Sequence, residues 1–279
     1  MSAGLRETRF RDRNPKGMNR FCAKALWVAA VCGLGCGAGY AANPPNAAKT
    51  PILMELFTSE GCSSCPPVDE WAARLDAAQP VAGAELILLS EHVDYWDHDG
   101  WKDPFSSGAL TDRQRAYARM LGLSDVYTPQ VIVDGDVELH PWKPDEVKAS
   151  LAKAAGEPTV VVRIDGAAVV GGELTGKVEA DGSAQKRGGD VFVAVALEKT
   201  LTDVLAGENN GKKLTNVAVV EQLVKVGKLE KGKVFDQAFK VKLSPGADLG
   251  NLRVVAFVQE SGPGRVVGAA MTREIGKGQ

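Results

Sequence analysis

Two cysteines, Cys62 and Cys65, with Ser63-Ser64 between them and Pro66-Pro67 after, constrain this chain more than any other feature. Before them runs "ILMELF", Ile52–Phe57, an apolar stretch of strand length. After them, "PPVDEWAARLDAAQ", Pro66–Gln79, sets Val68, Trp71, Ala72 and Leu75 on one helical face. Prolines suit a first helical turn, where amide donors have no partner to lose. The pair therefore falls at a strand-to-helix junction. A helix start offers unpaired N–H groups and a positive dipole end, and both favour a thiolate on the first cysteine. The two-residue spacing lets the second sulfur reach the first and resolve a mixed disulfide.

Three chemistries compete for such a pair. A static disulfide would close a very small loop and stabilise little. Structural zinc wants four ligands. Beyond residue 41 the chain has only these two cysteines, with His92, His98 and His140. A copper or zinc module using Cys62, Cys65 and His92 is the alternative reading. The leading one is a thiol–disulfide oxidoreductase whose only redox group is the Cys62–Cys65 pair itself.

The start of the chain sets the compartment. Residues 1–41 carry seven Lys or Arg against two acidic residues, then run into "ALWVAAVCGLGCGAGYAA" (Ala25–Ala42). Basic, then apolar, then small is the order of an export signal, with cleavage expected at Ala41. The protein is expected to be exported, periplasmic or secreted, where a disulfide is permitted. Cys22 and Cys32 leave with the signal. Leu34-Gly35-Cys36 is an alternative lipobox, which would make a lipoprotein anchored at Cys36. Met18 is a second candidate start. Membrane contact is expected only through the signal or that anchor.

Residues 42–50 read as a Pro/Ala linker. In 51–156, strands at Ile52–Phe57 and Ala84–Val93 alternate with helices at Pro66–Gln79 and Leu110–Gly122. Thr111 is the expected cap of the second helix and Gly122 its stop. A hairpin about Asp134-Gly135 and a closing helix over Lys143–Ala155 complete the domain. Thr128-Pro129 marks the start of the hairpin strand. This order predicts a mixed central sheet with helices on both faces. Strand patterns dominate 157–279, seven short runs separated by turns, which predicts a mostly-β, sandwich-like second domain.

Among polar candidates, His92, Asp94 and Trp96 in "EHVDYWDHDGWKDPF" (Glu91–Phe105) follow a strand at its C-terminal end, where α/β ligands gather. They are the expected rim of the site, against the plainer reading of an aromatic plug. Glu60, two residues before Cys62, is a candidate to affect its thiolate, against the plainer reading of a loop charge in water. Asp112, Arg113 and Arg115 read as surface ion pairs. With a net charge of −2, no basic surface suggests nucleic acid. No Walker loop or Rossmann fingerprint implies a nucleotide, and no Gly-x-Ser-x-Gly elbow implies a hydrolase.

"ELFTSEGCSSCPP", "HVDYWD", "GW", "FSS", "RQRAYA", "YTPQ" and "VDG" resemble the exported bacterial family called domain of unknown function 1223, which is thioredoxin-like by fold. The resemblance covers Pro51–Ala155, and "GENNGKKLTNVAVV" (Gly207–Val220) extends it. It implies a thioredoxin-like α/β domain in which Pro129 is a cis-proline packed on the cysteine pair. It also implies that Thr128 offers backbone bonds to an extended protein or thiol substrate, with a redox partner protein to recycle the pair. Ser63-Ser64 replaces the Gly-Pro of ordinary thioredoxins, and the Asp94–Gly108 insertion lengthens the span from Cys65 to Pro129.

Overall fold

The computed structural model describes residues 49–278. The expected export signal, Cys22, Cys32, the lipobox at Cys36 and most of the linker lie outside the described residues.

Strand β1 (Thr50–Thr58) is followed by α1 (Pro66–Ala78), β2 (Ala84–His92), α2 (Gly108–Leu121), β3 (Gln130–Val133), β4 (Val137–Leu139) and α3 (Pro144–Ala155). Then come β5 (Val161–Val170), β6 (Glu173–Asp181), β7 (Gly189–Asp203), β8 (Lys213–Leu229), β9 (Val234–Lys242), β10 (Leu252–Glu260), β11 (Val266–Thr272) and β12 (Gly276–Lys277). Eight strands form one mixed sheet in the order β11-β10-β7-β8-β2-β1-β3-β4, and four form a second in the order β12-β5-β6-β9.

β1 is parallel to β2 and antiparallel to β3. Thr58 pairs with His92 and Phe57 with Gln130, so the ends of three strands meet at the edge where the cysteine loop begins. Side chains alternate across the sheet. Ile52, Met54 and Leu56 face one side, with Val68 and Ala72 of α1 and Val147 and Leu151 of α3. Leu53, Ile87 and Leu89 face the other, with Leu110 of α2.

The C-terminal strands differ from a self-contained set of seven short ones. β7 and β8 are 15 and 17 residues long, and β8 joins β2 in parallel through Ser90 and Val219. The edge of β2, which would otherwise carry unpaired backbone groups, is thereby covered. Ala194, Ala196, Val220, Val255 and Phe257 pack in the same cluster as Leu53 and Ile87. The opposite faces of β7 and β10 (Val191, Val193, Val195, Val254, Ala256, Val258) pack on Leu174, Val178, Phe235 and Phe239 of the smaller sheet.

Two expectations need correction. Ser107, not Thr111, caps α2, accepting the Ala109 N–H at 3.2 Å. Thr111 instead donates its hydroxyl to Asp94 Oδ1 at 2.6 Å. Arg113 is no surface residue. Its guanidinium donates to Glu55 Oε1 (2.6 Å), Tyr117 (2.8 Å) and Gln259 (3.1 Å) and lies over the rings of Tyr117, Phe192 and Phe257. It is the countercharge of the buried Glu55, and the register of β1 and β2 brings a second buried acid, Glu91, onto the same face. Burial first, and the neighbouring Glu55 second, push the Glu91 carboxyl well above the ordinary range.

Candidate functional site: the cysteine loop and its supports

Cys62 and Cys65 form a disulfide with their Cα atoms 5.5 Å apart. Cys65 is the N-cap of α1, and its carbonyl accepts from Val68 (2.9 Å) and Asp69 (3.0 Å). The Ser64 hydroxyl lies 3.2 Å from Cys62 Sγ. It can donate to that sulfur, a contact that would strengthen on a thiolate. Both cysteines are fully buried, while Ser63 and Ser64 between them are exposed.

The Thr128-Pro129 peptide bond is cis, and the Thr128 carbonyl oxygen lies 3.9 Å from Cys62 Sγ. Trp96 fixes this segment by donating Nε1–H to Thr128 Oγ1 at 2.7 Å. The buried Gln114 of α2 holds it from behind, donating to the Tyr127 carbonyl (2.8 Å) and to Gln130 Oε1 (2.9 Å). The structure thus brings Cys62, Cys65, Thr128, Pro129 and Trp96 together. Asp94 spends its carboxylate on Thr111.

His92 is not on a solvent-facing rim: it is fully buried beneath the loop. Its Nδ1 bonds Asp103 Oδ2 at 2.7 Å. Burial alone would lower its pKa, but the Asp103 charge and hydrogen bond outweigh this and leave it raised. Asp103 is correspondingly lowered, His92 outweighing the cost of burial. Asp103 also accepts the Glu60 N–H at 2.8 Å, which ties the pair to the cysteine loop. Glu60 is buried as well, not in water. Trp101 donates to its Oε2 at 3.1 Å, and burial raises its pKa.

Asp69, one turn into α1, is buried and accepts the Thr58 hydroxyl at 2.7 Å. Burial pushes its carboxyl up to about 7. His92 Nε2 and Glu60 Oε1 have no hydrogen-bond partner among the described residues. Such a density of buried, imperfectly paired polar groups is characteristic of functional sites. Among the described residues no group of three or more His, Cys, Asp or Glu is arranged to hold a metal ion. His98 is exposed, and His140 bonds Glu146 at 2.9 Å away from the cysteines.

Support also arrives from far along the chain. Asn209, in the β7–β8 connection, donates Nδ2–H to the carbonyls of Glu60 (2.8 Å) and Cys62 (2.9 Å). Glu208 accepts the Ser63 N–H at 3.0 Å. Neither residue was nominated by sequence reasoning, although "GENNGK" lies in the stretch that extends the family resemblance. A cavity of about 550 Å³ lies elsewhere, lined by Leu110, Arg113, Phe192 and Gln259 among others, and the cysteines are not part of it.

These features define a class: a mixed α/β protein with three helices among the described residues and a buried disulfide at a strand-to-helix junction. Within that class the chain belongs to the family described as protein of unknown function (DUF1223), whose model matches residues 53–259. A protein of Agrobacterium tumefaciens, known from its crystal structure, is 28% identical over 80% of this chain and 94% of its own, with a TM-score of 0.62. HBP35 of Porphyromonas gingivalis is 18% identical over 81% of this chain and 75% of its own, with a TM-score of 0.61. That second likeness is one of fold. No curated protein matches the chain.

Proposed function

We propose that this is an exported, thioredoxin-like thiol–disulfide oxidoreductase acting through Cys62 and Cys65. The observation that carries the reading is the setting of the disulfide. It opens α1, the Ser64 hydroxyl lies 3.2 Å from Cys62 Sγ, and the cis Thr128-Pro129 segment sits beside it. The order β1-α1-β2-α2-β3-β4-α3, with Pro129 just before β3, supports the thioredoxin-like assignment. The basic-apolar-small start supports export.

In the reduced protein, the Cys62 thiolate attacks one sulfur of a substrate disulfide. A Cys62–substrate disulfide forms and one substrate thiolate leaves. Cys65 gives up its proton, and its thiolate attacks Cys62 Sγ. The Cys62–Cys65 bond forms, the second substrate thiolate departs, and two electrons have passed to the substrate. The same steps in reverse oxidise a dithiol. Asp69, one turn from Cys65 and held near neutrality by burial, is suited to exchange the proton of that step. Thr128, whose carbonyl faces Cys62, is suited to orient an extended substrate.

Alkylation of the reduced protein against pH tests this. The expected result is a Cys62 thiol titrating below the free value of ~8.5, with turnover of a protein disulfide that is lost in Cys62→Ser. An unshifted thiol that is inert toward protein disulfides would sink the reading.

Complete burial of both cysteines favours a second reading, in which the disulfide only staples the loop. A bond that resists glutathione in the folded protein, and whose loss lowers stability without touching any exchange activity, would establish it.

A further inference from the structure

We infer that Asn209 is a positioning residue of the dithiol, and that its amide, polarised by Lys212, favours the thiolate of Cys62. The inference rests on the redox reading above.

Asn209 is fully buried, and its side chain is fully engaged. Nδ2 donates to the carbonyls of Glu60 and Cys62, the latter 147 residues away in sequence, and Oδ1 accepts from Lys212 Nζ at 2.8 Å. A buried amide meeting two carbonyls and an ammonium is a specified contact, not incidental packing. The loop presenting it is pinned. Val204 N–H bonds the Lys212 carbonyl (2.9 Å), Gly211 N–H the Val204 carbonyl (2.8 Å) and Lys212 N–H the Asn209 carbonyl (3.0 Å). Gly207 has φ +70°, and a Cβ there would stand 3.1 Å from both the Asp99 carbonyl oxygen and Trp101 Cβ. The aromatic insertion and the Asn209 loop therefore close on each other around the cysteine loop.

Reduction puts a negative charge on Cys62 beside carbonyl dipoles whose oxygens are also negative. A donor on the Glu60 and Cys62 carbonyls offsets that repulsion, and the Lys212 charge acts through the same amide. The anion Glu208, on the Ser63 N–H, and the buried Glu60 oppose the thiolate, which makes the Asn209–Lys212 contribution the balancing one. Asp69 and the His92–Asp103 pair make no hydrogen bond to Asn209 or Lys212 among the described residues. Stabilising the reduced form raises the reduction potential, so removing Asn209 makes the disulfide harder to reduce.

The test compares the full chain with Asn209→Ala, Lys212→Met and Lys212→Arg, reading the glutathione equilibrium, the pH dependence of Cys62 alkylation and the thermal midpoint. Asn209→Ala is expected to shift the equilibrium about tenfold toward the disulfide, ~30 mV in potential, and to raise the Cys62 pKa. Lys212→Met is expected to act in the same direction by about threefold with an unchanged midpoint, and Lys212→Arg to restore the wild-type values. If Asn209→Ala does not fold, Lys212→Met decides. Variants that lose stability yet keep the wild-type equilibrium and thiol titration would overturn the inference alone. A wild-type protein that does not exchange with glutathione would overturn the redox reading beneath it.

Discussion

At the scale of single residues, the defining feature is how many ionisable groups the fold buries. Asp69 gives the cleanest prediction. Its carboxyl titrates at about 7 in the fold but near ~3.9 in an unfolded chain. The folded state therefore binds the extra proton. The Asp69 contribution is full below about pH 4 and is lost as pH rises toward about 7. Urea unfolding across pH should show Asp69→Asn gaining on the wild type through that window, by up to ~4 kcal/mol from the size of the shift. Parallel profiles would refute the assignment. A second prediction concerns Arg113, the countercharge of the buried Glu55. Arg113→Leu should cost about 3–5 kcal/mol in chemical denaturation, because it leaves the Glu55 carboxylate buried without its countercharge. The strand-to-helix setting of Cys62 and Cys65 is legible in sequence, because local spacing and helix-start chemistry are short-range signals. Pro129 reads locally only as a strand start, and is brought to the cysteines by the family resemblance. The burial of Glu60 and Arg113 is not legible. A charge beside polar neighbours reads as solvated, and the partners that bury Arg113 lie 58 residues upstream and 146 downstream.

At the scale of elements, the strand and helix patterns before residue 156 were readable because each element has one apolar face with the right period. Val68 and Ala72 on α1, with Trp71 and Leu75 packed beside them, meet the sheet as their spacing requires. The hairpin about Asp134-Gly135 formed where its turn residues lie. Gly135 has φ +73°, and a Cβ there would come within 2.6 Å of the Gly264 carbonyl oxygen, so this turn also fits against the β10–β11 connection. Gly135→Ala should therefore destabilise by at least about 1–3 kcal/mol, read as a lowered urea midpoint with an unchanged slope. An unaffected midpoint would show that the two turns do not constrain each other. The β7–β8 connection carries no periodicity, cysteine or histidine, and nothing in its local pattern says that it reaches the cysteine loop. The family resemblance of "GENNGK" marks the stretch but does not say what it touches.

At the scale of the whole molecule, one sheet runs from β4 to β11 and joins the cysteine-bearing elements to the C-terminal strands. Strand order is the part of the fold that a single sequence conceals most thoroughly, because a parallel contact such as Ser90 with Val219 leaves no local mark. Its energetic consequence is definite. Leu53, Ile87 and Leu89 are buried in part by Ala194, Ala196, Val255 and Phe257, and Arg253 of β10 bonds Asp76 of α1 at 3.0 and 3.1 Å. Residues 49–156 expressed alone should lack a cooperative calorimetric transition, while the full chain shows a single one. Two separate transitions in the full chain would mean the shared sheet couples weakly. The shared sheet also places Asn209 at the cysteine loop, so the redox reading belongs to the whole chain and not to its first half. A redox titration of Cys62 and Cys65 in the full-length protein tests it most directly. The account predicts a potential above about −300 mV, in the range of exchangeable dithiols, with electrons passed to a protein disulfide or taken from a dithiol. A bond that stays oxidised below about −300 mV and exchanges with neither would contradict it.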